Sequence, residues 1–554
     1  MKPALISVQS PVAYLCAEFG LYAQLPLYAG GLGILAGDIL KSAVEANFPM
    51  VGVGLLYKGR LAQQQINADD WPEDSDRSFD RIAEGIFPVV RDGEPLQVQV
   101  PLGSQTVNLA IYEKTMGKTV SLVLLEPDVP SNSAEMRRLT DILYCCGDES
   151  QLQQAILLGV GGYRALKALG LTPTFYHFNE GRPAFLTWEF QADWREQQHL
   201  SADQASQHAR LQTVYTNHTL VAAGNQTYPL DLIKKYAQPF ADRLGISADE
   251  LIKPGLDKNA ADRFSITQLA LNSSIRASGV SQRHTQLAKQ SWPDYHWDAI
   301  TNGVHLKTWQ KPEFAQPTND DQELWNTHRK YKHRLMEMAV ERTGIGYDPD
   351  HLIIAWARRI TEYKQLDRVF ADLERLEAIL RHPARPIQIL IAGKTHPGDD
   401  NAKRTLQNII RLFQTRLNGV ALYLPNYDIE LAQYLTSGVD LWLNTPKFGL
   451  EASGTSGMKC VSNGVLQATV ADGWSAEVDW TNRGWVLEPD SPEVSLYDQL
   501  ENSIAPMFYQ RDHRGLPMEW LARMRNSMKL ANDFSAERVL NDYRRYLYHP
   551  TQTE

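Results

Sequence analysis

Three short segments of this 554-residue chain hold residue types that could do chemistry at close range. The first, Gly30-Gly31-Leu32-Gly33, precedes an amphipathic stretch over Leu35–Ala46. That order would set bare backbone amides at a helix N-terminus, where aligned peptide dipoles favour phosphate. The same glycines would also suit a loop that only packs closely, and no full dinucleotide-binding pattern accompanies them. The second, Ala357-Arg358-Arg359-Ile360-Thr361-Glu362-Tyr363-Lys364, gathers three cations directly after the apolar run Ile353–Ala357. Lys and Arg are ordinarily solvated, but at the end of a buried strand these three would form an anion site. The third, EASGTSGMK over Glu451–Lys459, mixes hydroxyl donors at Ser453 and Thr455 with glycines that admit backbone amides to an oxygen-rich ligand. Lys459 falls in the first turns of the helical stretch that follows. A lysine there is solvated by default, and in dense surroundings it becomes a candidate for a Schiff base.

These loops need strands to deliver them. In the first half Val12–Ala17, Met50–Tyr57, Ser121–Leu125, Thr174–Phe178 and Thr213–Thr216 read as buried strands, with a helix over Gln151–Leu169. In the second half Leu352–Ala357, Ile387–Ala392, Val420–Leu424, Val439–Leu443 and Val465–Val470 alternate with helical patterns such as Gln365–Leu380 and Ala402–Leu417. Strands alternating with helices of this length predict an α/β fold of parallel, doubly wound sheets with right-handed crossovers. The stretch Thr301–Pro312 joins the two rhythms and puts a boundary near residue 305. The expected domains are Rossmann-like, 1–305 and 306–525, facing a central cleft beyond the carboxyl ends of their strands. Residues 526–554 close the chain as part of a helix over roughly Glu519–Tyr548, which could pack on either domain.

Composition narrows the function classes. Hydrophobic residues make up 43% and charged residues 22%, the balance of a globular protein. A formal net charge of -10 argues against a general nucleic-acid binder. Cys16, Cys145, Cys146 and Cys460 show no paired spacing for zinc or a disulfide framework, which fits reducing cytoplasm. Met1–Gln9 is no signal peptide and no long apolar run spans a membrane, so neither export nor membrane insertion is expected.

Tyr14–Gly33, reading YLCAEFGLYAQLPLYAGGLG, together with ARRITEYK at Ala357–Lys364 and EASGTSGMK at Glu451–Lys459, closely resembles the α-glucan phosphorylase family. The likeness is strongest to its short bacterial branch. It continues through NEG at Asn179–Gly181, TNH at Thr216–His218, TNG at Thr301–Gly303, AGK with PG at Ala392–Gly398 and NYD at Asn426–Asp428. The resemblance implies the B-type glycosyltransferase fold and pyridoxal 5'-phosphate held by Lys459. The implied reaction is phosphorolysis of α-1,4-glucan or maltooligosaccharide by inorganic phosphate, giving glucose 1-phosphate with retention. By the same matching, Arg358 and Lys364 would hold the cofactor phosphate and Arg359 the substrate phosphate, helped by Gly30, Gly31, Leu32, Gly454 and Thr455. Tyr427 and Trp309 would wall the cofactor. His218, Asn302, Glu451 and Ser453 would orient the sugar, and Glu18 would place a carboxylate near the reaction centre. Two phosphates of about -1.5 to -2 each would be nearly balanced by the three cations and about +0.5 from each of two helix N-termini.

The sequence departs from that pattern at several points. YLCAEFG begins at Tyr14, without the N-terminal helical segment that members usually carry. Arg182 and Thr361 stand where relatives have His, and Lys447-Phe448-Gly449 replaces an Arg- and Pro-rich approach to the lysine motif. Two other functions suit the same fold: a nucleotide-sugar glucosyltransferase of the glycogen or starch synthase kind, and a degenerate phosphorylase acting as a glucan-binding protein. Oligomeric state stays open, a homodimer included.

Overall fold

The computed structural model describes residues 5–144, 147–220, 225–258, 260, 262–316 and 318–549. Cys145 and Cys146 lie outside the described residues. The chain divides into two compact units, one of Met1–Arg60, Arg77–Thr301 and Val539–Glu554, the other of Leu61–Asp76 and Asn302–Arg538. Two short segments therefore belong to a unit that sequence order alone would not assign them to.

The first unit is built on a ten-stranded sheet. Val12–Leu15 lies at its centre, flanked by Met50–Leu55 on one side and Phe175–Asn179 on the other, both parallel to it. From there the sheet runs outward through Thr213–Thr216, Arg276–Gly279 and Trp297–Ala299 on one side. On the other side lies Val120–Glu126, against which Gln105–Thr115 and Gln97–Leu102 form an antiparallel meander. That meander is absent from the expected strand set, because Gln97–Leu102 alternates exposed and buried residues while its polar positions dilute any apolar run. The helix expected over Leu35–Ala46 begins earlier, at Gly31, so the glycine run forms its first turn rather than a loop before it. Close packing explains two of its glycines. A Cβ on Gly37 would sit 2.2 Å from the Gly20 carbonyl oxygen, and one on Gly33 2.8 Å from the Glu18 carboxylate.

The second unit holds a six-stranded, all-parallel sheet. Its order is Ala421–Leu424, Ile387–Ala392, Leu352–Ala357, Leu441–Asn444, Leu466–Val470, Trp485–Leu487. Numbered along the chain this is 3-2-1-4-5-6, the doubly wound order whose direction reverses between the first and fourth strands. Alternate residues feed two separate cores. Ile354 and Trp356 join one apolar cluster, Ile353, Ala355 and Ala357 the other, as period-2 strands buried on both faces require. The long helix Asp321–Thr343 covers the second cluster. Asp320 caps its start by accepting from the Gln322 and Glu323 amides, and Gly344 ends it at φ 73°. At its middle, His328 and Lys332 meet Asp440 at 2.8 and 2.5 Å, and Asp440 also accepts from the Ile353 amide at 2.7 Å, all fully buried.

The helix expected over Glu519–Tyr548 is broken. Met518–Met528 ends before an irregular turn, and Ala536–Asp542 restarts the helix and runs into a wide turn over Tyr543–Leu547. The cause is tertiary: Val304 forms a bridge with Ser535, donating to the Phe534 carbonyl and accepting from the Ala536 amide. The stretch Gln365–Leu380 is likewise divided, because Asp372 accepts from the Arg375 amide and caps a fresh helix over Leu373–Leu380. No helix among the described residues is long and apolar enough to cross a membrane.

Candidate active site

In the second unit the sequence reversal point of the sheet lies between Leu352–Ala357 and Leu441–Asn444, and the two loops leaving their carboxyl ends carry the cations and the lysine motif. Arg358 follows the first strand directly. Its guanidinium donates to the Asn444 side chain and, at 2.5 Å, to the Glu451 carboxylate. Lys364, at the end of a 3-10 turn over Glu362–Lys364, reaches both Glu451 oxygens at 2.7 and 2.6 Å. The loops are stitched together by the Lys447 amide donating to the Tyr363 carbonyl. Burial alone would raise the Glu451 carboxyl, but Arg358 and Lys364 outweigh it and hold it at about 2. Burial, and then Arg358, push the Lys364 ammonium down, with Glu451 opposing.

The Glu451 loop is itself held. Asp472 accepts from the Gly449 and Glu451 amides at 2.7 and 3.1 Å, and Trp474 donates its amide to the Ser453 carbonyl. Gly454 adopts φ 83°, a left-handed turn natural to glycine, which carries the chain toward the helix Ser456–Val461. Lys459 in that helix is buried, its ammonium 3.5 Å from the centre of the Trp309 ring. Asn463 bonds the Trp309 carbonyl and the Lys311 amide, fixing the indole segment to the lysine helix. Tyr427 packs on the adjacent apolar cluster, and Asn302 is buried with its side-chain oxygen unpartnered. Arg359 stands apart. It is exposed, and among the described residues no ion pair engages it.

This arrangement fits a phosphate-bearing carbonyl compound. A buried amine lies against an aromatic face, and the neighbouring loops leave Arg358 Nε, Ser453 Oγ and Thr361 Oγ1 buried without partners. Orphaned buried polar atoms are costly unless something satisfies them. Asn444 and Asp472, which orient the cluster, are missing from the expected set. Their only signal in the sequence is position, at the end of one strand and just after another.

The first unit gathers a second set at its own carboxyl edge. Glu18 is buried. One of its oxygens accepts from the Ala29 and Gly30 amides at 2.7 and 3.0 Å, the other from the Tyr144 hydroxyl at 2.5 Å. It thus anchors the entry to the helix Gly31–Glu45. Leu32 is half-buried in the first turn and Gly31 is exposed, and a Cβ on Gly31 would meet nothing within 4 Å. Among the described residues nothing requires that glycine. His218 follows the strand Thr213–Thr216, its ring bonded to the Asn179 side chain at 2.5 Å and its amide to Glu180 at 2.8 Å. Burial pushes His218 down to about 3 and Glu180, at φ 73°, up to about 8. Arg182 lies 4.8 Å from the Tyr144 ring and donates to Gln151. Tyr144 escapes sequence reasoning because its partner Glu18 lies 126 residues away along the chain.

Parallel doubly wound sheets with ionic loops at their carboxyl ends define an α/β protein equipped for anionic, oxygen-rich ligands. Residues 312–482 match the carbohydrate phosphorylase family. The chain is 34% identical to a maltodextrin phosphorylase of Thermococcus litoralis, over 97% of its own length and 70% of that protein. It is 33% identical to a glycogen phosphorylase of Mycobacterium tuberculosis, over 97% and 71%. With an uncharacterized protein of Methanocaldococcus jannaschii it shares 30% identity over 97% of this chain and 99% of that one. The chain belongs to the α-glucan phosphorylase family of carbohydrate phosphorylases.

Proposed function

We propose that this protein catalyses phosphorolysis of α-1,4-glucan by inorganic phosphate, releasing α-glucose 1-phosphate with retention and using pyridoxal 5'-phosphate on Lys459. The observation that carries this is the buried Lys459 ammonium against Trp309, in the same unit as the Arg358, Lys364 and Glu451 cluster. The maltodextrin and glycogen phosphorylases among the relatives support the glucan as substrate. The B-type glycosyltransferase fold belongs to the same proposal.

When bound, the cofactor supplies a phosphate group able to exchange a proton with the substrate phosphate. The residues then divide the work. Arg358 and Lys364 hold the cofactor phosphate with Gly454 and Thr455, while Trp309 and Tyr427 wall the ring. Arg359 grips the substrate phosphate through a planar fork suited to two oxygens. His218 stays neutral at physiological pH and orients the sugar, and Glu18 keeps the glycine turn in place with Gly30 and Leu32.

Incubation with maltooligosaccharide and phosphate is expected to release glucose 1-phosphate, and borohydride is expected to fix the cofactor on the peptide containing Lys459. Transfer from ADP-glucose or UDP-glucose with no phosphate-dependent product would instead establish the synthase function.

A further inference from the structure

Two hydrogen-bonded rungs join neighbouring strands in the first unit. In the lower rung His177 Nε2 meets Thr216 Oγ1 at 2.7 Å, and Thr216 Oγ1 meets Ser278 Oγ at 2.8 Å. Asn179, two residues further along its strand, and His218, two residues beyond the end of Thr213–Thr216, form the upper rung. The period-2 geometry of the strand Phe175–Asn179 puts His177 and Asn179 on one face of the sheet. Beneath the lower rung, the Tyr548 hydroxyl bonds His177 Nδ1 at 2.6 Å. His177 is fully buried, wedged edge-on between the rings of Tyr14 and Tyr543 at 4.9 Å each.

A neutral imidazole has one donor nitrogen and one acceptor, and burial keeps His177 neutral by pushing it down to about 3. Tyrosine and threonine hydroxyls can each donate or accept. The role taken by the Tyr548 hydroxyl therefore fixes which His177 nitrogen carries the proton and which way the Thr216 hydroxyl turns. Thr216 lies two residues before His218. Tyr548 comes from the segment that returns to this unit only at Val539, after the second unit is complete in sequence.

We infer that Tyr548 is a positioning residue for the Asn179–His218 pair, acting through His177 and Thr216, so that the turn Tyr543–Leu547 and the Tyr548 that ends it complete the sugar-binding edge of the first unit. This rests on the phosphorolysis proposed above, in which His218 orients the sugar. Without the hydroxyl, Nδ1 is left buried and unsatisfied, and the imidazole must change tautomer or tilt. Either response shifts the rung above it.

Tyr548→Phe removes the hydroxyl while preserving the ring, which stacks on Phe48 at 6.1 Å and packs on Phe175 at 6.0 Å. In the cofactor-loaded full chain, its KM for maltooligosaccharide is expected to rise roughly three- to tenfold, about the reach of one hydrogen bond. The KM for phosphate should stay within about twofold. In an Asn179→Ala background the same substitution is expected to have no further effect, since the pair it positions is already broken. With histidine labelled in 15N, the ring resonances of His177 and His218 should both move in Tyr548→Phe. A lowered melting temperature with unchanged oligosaccharide KM, or equal losses in both backgrounds, would overturn the positioning role. Absence of phosphorolysis in the unsubstituted protein would remove the proposed function alone. The His218 resonance then decides, a shift in Tyr548→Phe supporting the coupling and an unmoved resonance refuting it.

Discussion

Glu451 pairs with two cations at once, Arg358 and Lys364, and Arg359, beside Arg358 in sequence, is left exposed. The contrast separates two kinds of arginine. Removing a partner from a buried ion pair costs about 3–5 kcal/mol, so loss of Glu451 would strand both cations at once, and Arg358 and Lys364 are tied to the fold through it. Arg359 has no such debt to the fold. Arg359→Ala is therefore expected to leave the melting temperature and cofactor content unchanged while lowering kcat/KM for phosphate roughly tenfold to hundredfold. That range follows from about 1.5–3 kcal/mol for a hydrogen bond to a charged group, at about 1.36 kcal/mol per decade. Arg359→Lys should fall between, because a point charge restores attraction without the bidentate fork. Initial rates at varied phosphate measure both.

At the scale of an element, the helix Gly31–Glu45 shows two reasons for glycine within seven residues. Gly37 lies so close to the Gly20 carbonyl that any side chain forces the helix away from its neighbour. Gly31 faces open space, and its first-turn amides are among those a helix leaves unsatisfied. Gly37→Ala is expected to lower the melting temperature by several degrees, as clashes of this kind cost about 1–3 kcal/mol. Gly31→Ala should leave stability unchanged or slightly raised, since alanine favours the helix. If Gly31 is kept bare for a phosphate, the same variant should lose phosphorolysis by tenfold or more. Thermal melts and initial rates on the two variants distinguish packing from ligand space.

Across the whole first unit, burial leaves a titration signature. His177 and His218 are pushed down to about 3 and His284 to about 4, whereas Glu180 is pushed up to about 8. Between about pH 5 and 6 the unfolded chain protonates all three imidazoles, which the folded state refuses, while the folded state keeps one proton on Glu180 that the unfolded chain releases. Three imidazoles against one carboxyl leave the unfolded chain about two protons richer. Stability must then fall as pH falls through this window, by about 2.7 kcal/mol per pH unit. Scanning calorimetry at pH 7 and pH 5 should show the fall. The sign would reverse if Glu180 dominated.

The amino-acid sequence by itself determined the α/β class, most parallel strands of both units and the three segments that carry ions or the lysine. Those features are local: apolar runs of strand length, glycines before helices and contiguous motifs are written in neighbouring residues. Periodicity failed where local signals were weak or overruled. The Gln97–Thr115 meander has too many polar positions to read as buried strand, and the C-terminal helix breaks because Val304 captures the backbone around Ser535. Only the tertiary structure decided which charges meet. Glu451 finds Lys364 across 87 positions, and Tyr548 finds His177 across 371. Strand order in a doubly wound sheet brings distant loops to one reversal point, and no spacing along the chain encodes that order. The cations and Glu451 were therefore legible as residues, while their pairing and the tyrosine behind the histidine were legible only once the sheets had closed the distance.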